Sequence, residues 1–82
     1  FERAMTAYQA GNYKQAFRLW QPLANQGYAN AQFNLGVMYE EGRSVTQNDQ
    51  QAFVWYQKAA NQGDAVAQYN LGTMYRDGRR KS

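Results

Sequence analysis

The stretch Ala29-Asn-Ala-Gln-Phe-Asn-Leu-Gly-Val-Met-Tyr-Glu-Glu-Gly42, followed after a polar connector by Ala52-Phe-Val-Trp-Tyr-Gln-Lys-Ala-Ala-Asn-Gln-Gly63, reads as one helical hairpin. Shifted by 36 residues, the chain meets itself. Ala31-Gln-Phe-Asn-Leu-Gly-Val-Met-Tyr39 falls on Ala67-Gln-Tyr-Asn-Leu-Gly-Thr-Met-Tyr75, and Gly42-Arg43 falls on Gly78-Arg79. In the other direction Ala52-Phe53 falls on Ala16-Phe17, and Ala60-Asn-Gln-Gly63 on Ala24-Asn-Gln-Gly27. A period of this length with two helical patterns per period marks an all-α fold of the α-solenoid type, built from antiparallel helix hairpins.

Working outward, the pattern predicts about five helices: a short first hairpin in residues 1–28, one complete unit in 29–64, and a half unit with a basic tail in 65–82. The first helix should run from Glu2 to Ala10 and close at Gly11, where a left-handed residue can end a helix. Asn12 should cap the second, whose Tyr13, Ala16, Phe17, Leu19, Trp20, Leu23 and Ala24 form one apolar stripe. Pro22 cannot donate to the Arg18 carbonyl, so a kink or early loosening is expected before Gly27. The third helix should span Ala29 to Glu41, with Ala31, Leu35, Met38 and Tyr39 inward. Gly36 costs about 1 kcal/mol against alanine in a helix interior. Its recurrence as Gly72 implies that a neighbouring helix passes too close for a methyl group. The connector through Asn48 has Val45 as its apolar residue, expected to tuck under the hairpin, and Asn48 or Thr46 as the cap of the fourth helix. That helix presents Ala52, Phe53, Trp55, Tyr56, Ala59 and Ala60, with Gly63 as its stop; Trp20, Trp55 and Tyr56 are expected in the core. The fifth helix, from Ala65 to Asp77, lacks a following partner, so the array is expected to be truncated or completed by another copy through Leu71, Met74 and Tyr75.

Composition removes whole classes of function. Cysteine and histidine are both absent, which excludes zinc centres and Ser-His-Asp or Cys-His machinery. No phosphate loop occurs, and no cofactor or metal is expected. Glu40 and Glu41 are adjacent on a helix and therefore do not face each other as an acid and base would. Asp49 and Asp64 sit at helix starts, where negative charge suits the helix dipole. These readings predict a protein that is not an enzyme. Up to Tyr75 the charges balance, and the net charge of +3 arises entirely from Arg76, Asp77, Arg79, Arg80 and Lys81. Nucleic-acid binding needs basic residues spread along an element, so it is not expected, and the tail reads as a solvated, frayed end. No apolar run reaches the roughly 18 residues that a membrane span requires. Because the chain starts at Phe1, a processed or excised form is expected, and the missing leader says nothing about compartment.

Ala31-Gln-Phe-Asn-Leu-Gly-Val-Met-Tyr-Glu-Glu-Gly42, Val45, Asp49, Ala52, Trp55-Tyr56, Lys58-Ala-Ala60 and Gly63 together resemble a Sel1-like repeat, a relative of the tetratricopeptide repeat. The first hairpin, with Tyr8, Gly11 and Tyr13, is closer to a tetratricopeptide unit. Ser44, and Arg80 in the next unit, stand where the family usually has a second glycine. The resemblance implies a right-handed superhelix that serves as an adaptor or scaffold for other proteins. It also points toward bacterial envelope or secreted proteins, although such repeats occur in endoplasmic reticulum degradation complexes as well.

In such solenoids the first helix of each pair lines the concave surface. The expected peptide- or protein-binding set is therefore Asn30, Phe33, Asn34, Val37 and Glu40 on the third helix, with Val66, Tyr69, Asn70, Thr73 and Arg76 on the fifth. Glu2, Thr6 and Gln9 would extend the set onto the first helix. Asn34 and Asn70 carry most of this expectation, because an amide donates and accepts at once and the related repeats use an asparagine near this position to clamp a peptide backbone. The same two residues could instead bond a polar group on a neighbouring helix and fix the stacking. Phe33 and Tyr69 are either exposed anchors or covered by the adjacent helix. The alternative function is a self-associating structural element held together by the last helix.

Overall fold

The computed structural model describes residues 2–77 and contains five helices: α1 (Glu2–Gln9), α2 (Tyr13–Asn25), α3 (Ala29–Glu41), α4 (Asp49–Asn61) and α5 (Ala65–Asp77). The expected tail, Arg79-Arg80-Lys81, lies outside the described residues. Each helix packs chiefly on the one before and the one after it in sequence. This nearest-neighbour pattern is that of a solenoid. Gly11, Gly27, Gly42 and Gly63 all take positive φ where the helices before them end. Ser44 also has φ 69°, at the position where the related repeats place a glycine.

Two apolar clusters fill the spaces between helices. Ala4 from α1, Ala16, Trp20 and Ala24 from α2, and Ala31, Leu35 and Met38 from α3 form the first. The second joins Ala52, Phe53 and Tyr56 of α4 to Leu71 and Met74 of α5, with Phe33, Val37 and Tyr39 packed against it. Alanine recurs at the closest approaches because its small side chain lets helix axes draw together while remaining the best helix former. Trp20 and Tyr56, which fall on each other at the 36-residue offset, are both buried, whereas Trp55 is half-buried and its ring lies 4.9 Å beneath the Lys58 ammonium.

Several expectations are corrected. Helix α2 runs on past Pro22 to Asn25 without loosening. Pro22 is exposed, so the Arg18 carbonyl that loses its donor lies on the side open to solvent. Asn12 holds the cap position of α2 but makes no side-chain cap bond; its amide donates to Gln15 Oε1 at 3.0 Å instead. Asn48 does cap α4, accepting from the Gln51 N–H at 3.1 Å, and Asp64 likewise accepts from the Ala67 N–H at 2.9 Å. Val45 is half-buried.

The larger correction concerns the faces of α3. Ala31, Leu35 and Met38 turn chiefly toward α2, the helix before, with Trp55 of α4 packed against the same cluster. The Tyr56 side of α4 is met by Phe33, Gly36, Val37 and Glu40. A helix held between two others needs two interior edges, and a single apolar stripe reveals only one of them. Leu71 and Met74, named as a face for self-association, are buried against α4; of that set Tyr75 is exposed, with its ring meeting Phe53 edge-on at 5.5 Å.

Candidate binding surface

The centre of the surface is set by a glycine. A Cβ on Gly36 would lie 2.6 Å from both Cδ1 and Cε1 of Tyr56. Without that methyl group, the Tyr56 ring lies directly on the α3 backbone, and Phe33 packs on it with centroids 5.6 Å apart. The phenol then reaches one turn further along α3, where it donates to Glu40 Oε1 at 2.6 Å. Asn70 of α5 acts on the same hydroxyl in the opposite sense, favouring its ionised form. Burial, and next the hydrogen bond to the Glu40 carboxylate, push the Tyr56 pKa far above that of an ordinary phenol. The hydroxyl therefore stays protonated and ties α4 to α3.

The residues expected to bind a partner divide accordingly. Phe33, Val37 and Glu40, named as partner-binding residues, serve the α3 to α4 contact instead; all three are half-buried. Asn70 is half-buried and acts on the Tyr56 hydroxyl of the neighbouring helix. Asn34, its counterpart on α3, is half-buried on the flank where Asn30 is exposed. On α5, Val66 and Tyr69 are exposed, Arg76 is exposed, and half-buried Thr73 turns its hydroxyl back onto the Tyr69 carbonyl at 3.1 Å. Glu2, Thr6 and Gln9 are exposed on α1, and a shallow recess between α1 and α2 includes Glu2 and Thr6.

A second network was not anticipated. Gln32 is buried and donates to the Ala24 carbonyl at 3.1 Å, while its own oxygen accepts from Gln62 Nε2 at 2.9 Å. Gln62 also reaches the Gly27 carbonyl at 2.7 Å. One repeat later, Gln68 donates to the Ala60 carbonyl at 3.2 Å, in the register of Gln32 and Ala24. The signal was present in the sequence, where Ala-Gln and Gln-Gly both recur at the 36-residue offset. Glutamine is usually a surface residue, and this hides its role until the carbonyls are placed.

Glu41 also has defined work. It accepts from Tyr8 at 3.1 Å and from Arg43 at 2.7 Å, while the Arg43 guanidinium lies 4.5 Å from the centre of the Tyr13 ring. The connector after α3 is thereby fastened to the first hairpin. Glu40 and Glu41 point to different neighbours, as adjacent helical positions must. Among the described residues, no group of three His, Cys, Asp or Glu side chains is placed to hold a metal ion, and no helix is long and apolar enough to cross a membrane.

The Sel1 repeat model matches this chain three times, at residues 7–28, 29–64 and 65–81. No curated protein matches it. Among solved structures, the chain is similar to the crystal structure of a Sel1 repeat protein from Oxalobacter formigenes, with a TM-score of 0.78 and 39% identity over 80% of this chain. The match spans 27% of that protein's chain. Sel1 repeats are generally protein-protein interaction modules rather than catalysts. With matches along nearly its whole length, the chain belongs to the Sel1 repeat family.

Proposed function

We propose that this chain is a non-catalytic adaptor that binds an extended peptide or a loop of a partner protein along the flank shared by α3 and α5. The observation that carries this reading is the pair Asn34 and Asn70, half-buried at equivalent places beside exposed Asn30 and Val66. Side-chain amides at a repeating interval suit the repeating donors and acceptors of a peptide backbone. Asn70 also acts on the Tyr56 hydroxyl, so Asn34 is the cleaner probe of recognition. Val66 and the methyl group of Thr73 supply apolar contact beside the amides. Arg76 adds positive charge at one end, which favours a ligand with an acidic residue there.

Selection from a random displayed-peptide library against the 82-residue chain tests this. The expected outcome is a set of related peptides whose affinity falls about tenfold or more in Asn34→Ala, with an unchanged melting temperature. Failure to enrich any peptide, or binding indifferent to both Asn34→Ala and Val66→Asp, overturns the assignment.

A further inference from the structure

The joints between successive helices differ in length. Those at residues 10–12, 26–28 and 62–64 have three residues each, whereas the connector between α3 and α4, residues 42–48, has seven. The connector is also strained. Among the described residues Ser44 is the one residue other than glycine with positive φ, at 69°. That left-handed conformation disfavours a serine about tenfold against a glycine. Gly42, at φ 72°, folds the connector back so far that a Cβ there would lie 3.1 Å from Gln47 Cβ.

The interface on either side of the connector is made without it. Tyr56 lies on Gly36, packs against Phe33 and donates to Glu40, and Gln62 holds both Gln32 and the Gly27 carbonyl. Each of these contacts joins residues 2–41 to residues 49–77. The bond from the Asn48 N–H to the Tyr39 carbonyl, 2.9 Å, folds the connector's end back onto α3. Opening the connector gives up that bond to water and leaves the rest of the interface able to form with another chain.

We propose that two copies of this chain exchange α4 and α5 by opening the connector at Ser44, so that the α4 of each packs on the α3 of the other. Opened, residues 43–48 reach about 20 Å, and Ser44 returns to an extended conformation. A hinge loop under strain invites such an exchange. A tethered segment meets its own site at an effective concentration of about 1 mM, so chains at that concentration compete with it. Relief of two strained serines per dimer then favours exchange by about a hundredfold. The exchanged dimer would carry Asn34 of one chain and Asn70 of the other on each shared flank, and the exchange itself does not depend on what that flank binds.

The test refolds the 82-residue chain from urea, at about 1 mM and at about a hundredfold lower concentration, and sizes both samples by chromatography with light scattering. A helical dimer that persists on dilution is expected from the concentrated sample alone. Refolding isotope-labelled chain with unlabelled chain should then give filtered NOE contacts from the Gly36 α-protons of one chain to the Tyr56 ring of the other. Ser44→Gly is expected to lower the dimerisation constant by about a hundredfold while raising the melting temperature of the monomer. Absence of a dimer from the concentrated sample overturns the proposal. So does a dimer lacking the interchain Gly36 to Tyr56 contact, which would be association through a surface. A dimerisation constant unchanged in Ser44→Gly would remove the strained hinge as its cause.

Discussion

A methyl group at Gly36 has two competing effects, and distance decides between them. Alanine is favoured over glycine in a helix by about 1 kcal/mol. At 2.6 Å from the Tyr56 ring carbons, however, the new methyl requires the ring to move. The ring is held by Phe33 on one side and by its hydroxyl bond to Glu40 at the tip. Overpacking of this kind costs about 1–3 kcal/mol, and loosening a charge-assisted hydrogen bond adds about 1.5–3 kcal/mol. Gly36→Ala is therefore expected to destabilise the chain by about 2 kcal/mol, seen as a drop of about 10 °C or more in thermal unfolding followed by circular dichroism. A variant that melts at or above the wild-type temperature would show that the ring moves freely. The close approach was legible at Gly36 from its recurrence, but the identity of the intruding group was not. At Gly72 the same inference finds open space, because a repeated residue records the interface it can make and not whether that interface is occupied.

At the scale of the helix, the two asparagines at helix starts differ in what they bond. Asn48 closes the first turn of α4 by accepting from Gln51 N–H, whereas Asn12 spends its amide on the Gln15 side chain. Losing a cap of the first kind costs about 1 kcal/mol. Asn48→Ala is expected to lower stability in urea titration by that amount, and Asn12→Ala by less than half of it; equal losses would refute the distinction. Helix limits were largely readable, since glycines and caps punctuate the chain at every hairpin. The direction each first helix faces was not. Gly36 presents no side chain and Glu40 is charged, so neither registers as interior, although together they form the seat for Tyr56. Consequently the stripe of Ala31, Leu35 and Met38 reveals one interior edge of α3, and pattern alone leaves open whether Phe33 is an anchor or a covered residue. Asn70 also shows why a polar residue at a repeating position is ambiguous by pattern alone: its effect on the Tyr56 hydroxyl is visible only once α4 and α5 are placed.

Across the whole molecule, every helix relies chiefly on its immediate neighbours, so stability is the sum of local terms rather than the property of one central core. The helices α3 and α4 are packed on both sides, while α1 and α5 each have one principal neighbour. Native-state hydrogen exchange is expected to show the slowest amides in α3 and α4, with α1 and α5 opening first. Uniform protection over all five helices would contradict this picture. Such an arrangement has a mechanical meaning. Pulled from its two ends, the chain should shed helices one at a time instead of rupturing in a single event, since no contact surface spans the array. The amide of Gln62 resists this at one place. By gripping both Gln32 and the Gly27 carbonyl, it stitches the end of one hairpin to the junction before it, 30 and 35 residues back along the chain. It makes the middle of the spring its stiffest coil.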